Sequence, residues 1–320
     1  MTASNLTSFG KSACALGILL SAAPALAEAQ YKIYGKAEIQ LAHTYKGLMR
    51  YTKEGTQIDA PFSRLGIDGS NTLSGDLKLI YKYEVQVKGF ESDDTDSPFA
   101  ARNTYIGLRG SFGTLVAGRN DTRFKFSEGK LDLFNETQGD IAQVLAGQDR
   151  LGDTLTYTTP TWQDFNVSLT YAPKDDANNQ QAGFAVTAIY GDRALKSKPY
   201  YVALSHTDSL NNLIATRVVA VTQWQQWQFG ALLQDSENLS GDKFGKGYVA
   251  SVSYTHNQWR PKLQFASDDS RLRHSGKAEQ WTLGLDYLYD KQTNLYIMLS
   301  TLDLPQDSDS SVALGLKYLF

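Results

Sequence analysis

The stretch GDLKLIYKYEVQVKG, residues 75–89, decides how the rest of the chain is read. Its odd positions are Leu77, Leu79, Tyr81, Tyr83, Val85 and Val87. Its even positions are Asp76, Lys78, Ile80, Lys82, Glu84, Gln86 and Lys88. A β-strand sends alternate side chains to opposite faces, so this segment predicts a strand with one apolar face and one charged face. Which solvent lies on each face is the question the remainder of the sequence must answer.

The same alternation recurs along the chain. Ile33, Ala37, Ile39 and Leu41 face away from Lys36, Glu38 and Gln40. Trp227, Phe229, Ala231 and Leu233 alternate with Gln226, Gln228, Gly230 and Gln234. Val312, Leu314, Leu316, Tyr318 and Phe320 make one face of the last strand. Turn-rich segments such as GSFG, YDKQTN, DSENLSGDKFGKG and SDDSRLRHSGK separate the runs. Strand starts are expected near residues 33, 60, 76, 100, 113, 152, 163, 182, 199, 213, 226, 246, 259, 279, 293 and 310. That is about sixteen strands, spaced as antiparallel membrane-crossing strands would be.

One interval breaks this rhythm. Between Arg119 and Gly152 lies NDTRFKFSEGKLDLFNETQGDIAQVLAGQDR, a long segment without strand patterning. Such a loop is usually functional. Within it Asp132, Glu136 and Asp140 stand at i, i+4 and i+8, which places them on one face if the piece is helical. Ile141, Val144 and Leu145 form a small apolar patch beside them.

Composition removes several function classes. The 320 residues carry a formal net charge of −3, so no basic excess points to nucleic acid. Cys14 is the single cysteine, which excludes a disulfide framework and a cysteine-based zinc site. The four histidines, His43, His206, His256 and His274, have no metal-ligand spacing. No nucleophile elbow or paired Ser/His set suggests an enzyme, and no cofactor is implied. The acidic run ESDDTDSP at residues 91–98 reads as a solvated loop.

Residues 1–27 read as a secretory signal peptide. Lys11 precedes the apolar run ACALGILLSAAPALA, which closes on an A-x-A pattern at Ala25 and Ala27. Residues 28–320 then form one exported β domain. The apolar faces of such a domain could line a soluble core or meet lipid. The number of consecutive short strands favours a closed barrel, which has no free edges. Aromatic residues near strand ends, including Tyr34, Tyr45, Trp162, Trp224, Trp259 and Trp281, suit the two girdles of a membrane barrel. The expected fold is therefore an all-β, transmembrane, antiparallel up-and-down β-barrel.

At this point the sequence resembles the general diffusion porins of Gram-negative outer membranes. YGKAEIQLAH is similar to the family's first strand and SRLGIDGSNTLSGDLKLIYKYE to its second hairpin. ARNTYIGLRGSFGTLVAGRND resembles the strands that lead into the constriction loop, DRLGDTLTYTTP the strand that leaves it, and VALGLKYLF the end of the chain. The resemblance implies a sixteen-stranded homotrimeric barrel whose long third loop folds into the lumen. It implies passive diffusion of ions and small hydrophilic solutes, with membrane lipid and lipopolysaccharide as surroundings. By the same resemblance Lys36, Arg64, Arg102 and Arg150 match the basic wall of the constriction. Lys78 joins them from the strand parity above. The facing acids would be Asp132, Glu136 and Asp140, although the loop lacks the Pro-Glu-Phe-Gly-Gly-type motif of the enterobacterial members. A substrate-specific channel of the same architecture, for sugars or oligosaccharides, is the alternative. It would need an aromatic ladder along a lumen whose parity positions are mostly Lys, Glu, Gln, Ser and Thr.

Overall fold

The computed structural model describes residues 30–88, 97–174 and 181–320. The signal segment at residues 1–27 and most of the acidic run at residues 91–98 lie outside them. The described chain is almost entirely antiparallel sheet. Its strands are β1 (Gln30–Thr44), β2 (Gly55–Asp59), β3 (Arg64–Ser74), β4 (Leu77–Val87), β5 (Phe99–Gly110) and β6 (Gly113–Asp121). After a long connection come β7 (Arg150–Thr158), β8 (Phe165–Ala172), β9 (Gly183–Gly191), β10 (Tyr200–Leu210), β11 (Leu213–Trp224) and β12 (Trp227–Asn238). The last five are β13 (Phe244–Tyr254), β14 (Trp259–Asp268), β15 (Ala278–Leu288), β16 (Thr293–Asp303) and β17 (Ser308–Leu319).

Each strand from β3 onward pairs with the next, and β1 pairs with β17 over Lys36↔Leu319 to Thr44↔Ser311. That last ladder closes the barrel and leaves no edge. β2 and β3 both pair with β1, end to end: Gln40↔Asp59 in one, Lys36↔Arg64 in the other. The seventeen segments of the sheet are therefore sixteen staves, one of them interrupted at residues 60–63. At the interruption the Ser63 hydroxyl takes over the missing ladder. It accepts from the Glu38 N–H at 2.9 Å and donates to the Glu38 carbonyl at 3.0 Å.

The two faces of the sheet are inverted relative to a soluble barrel. Leu295, Ile297 and Leu299 on β16 are 42, 45 and 51 % exposed, while their neighbours Tyr296, Met298 and Ser300 are buried. β12 repeats this, with Phe229 and Leu233 exposed and Gln234 and Ser236 buried. Leaving one such side chain in water forfeits roughly 1.5–3 kcal/mol of burial. A belt of them around a closed barrel is stable only against lipid. Trp162, Trp224, Trp259 and Tyr289 are exposed near the short-turn end, as an aromatic girdle requires. Tyr34 departs from the girdle expected of it. Its hydroxyl turns to the charged face and donates to Glu84 at 2.8 Å.

Candidate functional site

The connection between β6 and β7, residues 122–149, is folded on itself and on the buried face of the barrel. It holds a short helix, α1 (Arg123–Phe126), and one 3-10 turn at Ile141–Gln143. Residues 132–140 do not meet the condition of being helical on which a shared face for the three acids depended; successive turns stand there. Glu136 sits at φ +65°, a left-handed conformation that interrupts a right-handed helix. The two aspartates satisfy backbone groups in its stead. Asp132 accepts from Phe134 N–H at 2.9 Å and Ile141 N–H at 3.2 Å. Asp140 accepts from Glu136 N–H at 2.8 Å and Ala142 N–H at 2.7 Å, capping the 3-10 turn.

Apolar packing seats the segment. Leu131, Ile141, Val144 and Leu145 are fully buried in one cluster with Tyr201, Ala203, Val219, Val221, Leu232 and Val249. These partners lie on the buried rows of β10 to β13. Polar side chains then fix the loop's carbonyls. Ser251 donates to Leu131 O at 2.7 Å, Gln264 to Gly139 O at 3.0 Å and Gln280 to Gln138 O at 2.7 Å. Arg217, completely buried on β11, reaches both ends of the loop. It donates to Phe124 O at 3.4 Å and Ala146 O at 3.3 Å, and to the Gln234 side chain at 2.6 and 2.8 Å.

At the loop's tip Glu136 meets three cations from the opposite strands. Its carboxylate lies 2.9 Å from Lys36 Nζ on β1, 2.6 Å from Arg64 Nη1 on β3 and 2.5 Å from Arg102 Nη2 on β5. Two strand carboxylates complete the group. Glu38 bonds Lys36 at 2.5 Å, and Glu84 bonds Arg102 at 2.7 Å. Burial opposes ionisation of Glu136, but Lys36, Arg64 and Arg102 overcome it and hold the carboxyl well below the usual carboxylate range. Asp132 shifts the other way. Burial, with Asp140 and Glu128 nearby, raises its pKa well above that range.

Sheet irregularities aim these side chains. The β2–β3 interruption immediately precedes Arg64. A register shift between Tyr83 and Val85 sets Arg102 and Asn103 together opposite Glu84. A bulge kinks a strand and redirects its side chains, which regular pairing would hold in alternate rows.

The residues singled out in the sequence therefore separate into four groups. Lys36, Arg64, Arg102 and Glu136 come together. Arg150 stands beside them in a neighbouring group, with Nη2 3.1 Å from Asp121 and Nε donating to Asn103 at 2.9 Å. Lys78 is apart. It pairs in register with Thr72 and Arg109 near the β3–β4 turn, about 20 Å along the strand from Glu84. Asp132 and Asp140 turn their carboxylates into the loop's own backbone. Glu38 and Glu84 were visible on charged strand faces, but their place in the cluster depends on register. Arg217 gives no signal in the sequence, because its partners are loop carbonyls.

A closed barrel with an apolar exterior and a charged interior row defines a membrane-spanning β-barrel. The model of one family, the Gram-negative porins, matches residues 12–305, and the chain belongs to that family. Its similarity to relatives extends over nearly its whole length. Outer membrane porin protein 32 of Delftia acidovorans is 27 % identical over 330 residues, covering 96 % of this chain and 92 % of that one. Major outer membrane protein P.IB of Neisseria gonorrhoeae is 22 % identical over 343 residues, covering 93 % and 95 %. Among solved structures, Salmonella typhi OmpF superposes with a TM-score of 0.76 at 17 % identity, covering 91 % of this chain and 97 % of that one. The anion-selective porin from Comamonas acidovorans gives 0.68 at 18 % identity, covering 92 % and 100 %. The protein is thus an outer-membrane porin.

Proposed function

We propose that the channel is a general, weakly selective diffusion pore constricted by residues 122–149, and that the cluster around Glu136 sets its charge preference. The observation that carries this reading is the contact of Glu136 with Lys36, Arg64 and Arg102 at the end of a loop seated on the barrel's buried face. Such a pore needs no chemistry and no cofactor. Charged groups at a narrow aqueous passage select ions by their field, and the loop limits solute size. Arginine suits the wall because its charge persists at any working pH.

The local balance of charge favours anions. The cluster and its neighbours present Lys36, Arg64, Arg102, Lys125 and Arg150 against Glu38, Glu84, Asp121 and Glu136. Arg123 and Arg193 stack on Phe126 beside them, at 4.3 and 3.7 Å. With Asp140, whose carboxylate accepts from the Glu136 N–H at 2.8 Å, that makes seven cations against five carboxylates. The physiological assembly in this reading is a homotrimer in an outer leaflet of lipopolysaccharide, one structural neighbour being an outer membrane protein of Vibrio cholerae in trimer form. Purified protein in planar bilayers tests the proposal. A stepwise KCl conductance and a reversal potential displaced toward chloride are expected. No conductance, or a cation preference, defeats it. Cross-linking before heated and unheated gel electrophoresis tests the trimer.

A further inference from the structure

We propose that a cleft beside the constriction cluster is a binding subsite for small ring-bearing carboxylates; this rests on the channel reading above. The cleft has a volume of about 410 Å³ and is lined by Tyr51, Lys53, Pro61, Phe62 and Val87 among others. That volume falls in the range of small-molecule sites. It lies against the interrupted stave, so Phe62 and Arg64 are two residues apart.

Two of the lining rings sit where the backbone disfavours them. Tyr51 has φ +65° and Phe62 φ +54°. Bulky residues rarely adopt this left-handed region, which asparagine and glycine enter easily. The two rings meet edge to face, 4.8 Å apart at 87°. Each also has a guanidinium over its face: Arg50 at 4.9 Å from the Tyr51 ring and Arg102 at 5.4 Å from the Phe62 ring. Arg50 and Arg102 thus help to hold the aromatic pair in place.

The chemistry of the lining selects the ligand class. Phe62, Pro61 and Val87 offer an apolar surface to a ring. Lys53 supplies an ammonium for an anionic substituent. The lining's carboxylate, Asp59, accepts from Gln40 at 2.9 Å. Gln57 is engaged in the wall's own backbone, accepting from Lys53 N–H at 2.9 Å and donating to Tyr51 O at 3.3 Å. A sugar, which needs several hydrogen-bond partners, is poorly served. A planar ring with one carboxylate is matched on both counts, and the basic wall attracts its charge.

Benzoate is the probe. In planar bilayers containing the full protein, benzoate should reduce the open-channel KCl current saturably. Acetate, benzyl alcohol and glucose should need concentrations about tenfold higher, a separation of two affinities by one decade. Phe62→Asn keeps a residue suited to the left-handed backbone. It should still conduct KCl, and its half-blocking benzoate concentration should rise at least about fivefold. Lys53→Gln should bring benzoate to the level of benzyl alcohol. The proposal is overturned if acetate blocks as well as benzoate, if glucose blocks better, or if Phe62→Asn leaves benzoate block unchanged. The KCl conductance of the unaltered protein tests the channel reading separately. A conducting protein indifferent to benzoate loses the subsite and keeps the pore.

Discussion

Replacing Glu136 by glutamine isolates one charge at the proposed constriction. The cluster holds three cations, Lys36, Arg64 and Arg102, and three carboxylates, Glu38, Glu84 and Glu136. The substitution keeps the side chain's shape and an acceptor oxygen for the arginines, and leaves the cluster with one net positive charge. An ion passing about 5 Å away in a water-like medium feels that charge by about 0.8 kcal/mol. Screening at 0.1 M salt, where the Debye length is about 10 Å, reduces this to about 0.5 kcal/mol. Chloride gains and potassium loses, so the difference is about 1 kcal/mol, or about fivefold in the permeability ratio. At 1 M salt the Debye length is about 3 Å, and the same arithmetic leaves less than about a twofold change. Reversal potentials in KCl gradients around these two mean concentrations read both values. A ratio that stays put at 0.1 M, moves toward potassium, or shifts equally at 1 M refutes the assignment of Glu136 to the ion path.

Four other outcomes follow from the same geometry. Arg64→Ala combined with Arg102→Ala removes two cations and should move the reversal potential toward potassium, by about twice the free energy of the Glu136 change. Because the three cations hold Glu136 below the ordinary carboxylate range, its contribution is present above the unfolded pKa and is lost only as pH falls through the depressed folded value. The Glu136 contribution, read as the difference in selectivity between the unaltered protein and Glu136→Gln, should therefore stay level from pH 7 to 4, and a midpoint of that difference near the ordinary glutamate value would contradict the pairing. Glu128 behaves oppositely: burial pushes its pKa up to about 7, so the folded loop gains stability as pH falls from above 7 toward the unfolded value. Glu128→Gln should abolish that gain and stabilise the loop at pH 8 by up to about 3 kcal/mol, measured by resistance to trypsin at Lys125 and Lys130. Arg217→Met strips the Phe124 and Ala146 carbonyls and Gln234 of a buried donor. It should weaken loop seating by about 2–4 kcal/mol, with faster trypsin cleavage in the loop while the barrel stays folded.

The barrel was legible in the sequence because each stave displays both of its environments. Leu77 to Val87 alternate with Lys78, Lys82 and Glu84, and that contrast survives whatever the neighbouring strands do. Height within the barrel was not legible. Lys78 and Lys36 share the charged parity, yet cross-strand pairing puts Lys36 opposite Arg64 and Lys78 opposite Arg109 near the turn. The interruption before Arg64 was marked only by Pro61. The loop's carboxylates were misleading for a physical reason. Spacing at i, i+4 and i+8 suits a helical face, and it equally suits aspartates that bind backbone N–H groups two or nine residues on and four residues back. The left-handed backbone at Glu136 selects the second arrangement, and no local propensity announces it.

The same reasoning locates the loop's seat where alternation fails. On β4 the charged parity is nearly unbroken. On β11, Val218, Val219, Ala220 and Val221 are apolar on both parities, with Val218 exposed and Val219 and Val221 buried. An inward apolar row would be costly against water, so it has to be covered from within. Leu131, Ile141, Val144 and Leu145 provide that cover, in one cluster with Val219, Val221 and Leu232. The long segment is therefore held by two different forces. Apolar contact on β10 to β13 fixes its body and is not weakened by charge screening, whereas ion pairs to β1, β3 and β5 fix its tip. Salt and charge substitutions should consequently act on Glu136 and its partners while the body of the loop stays seated, so in the proposed pore selectivity can be altered without unseating the loop.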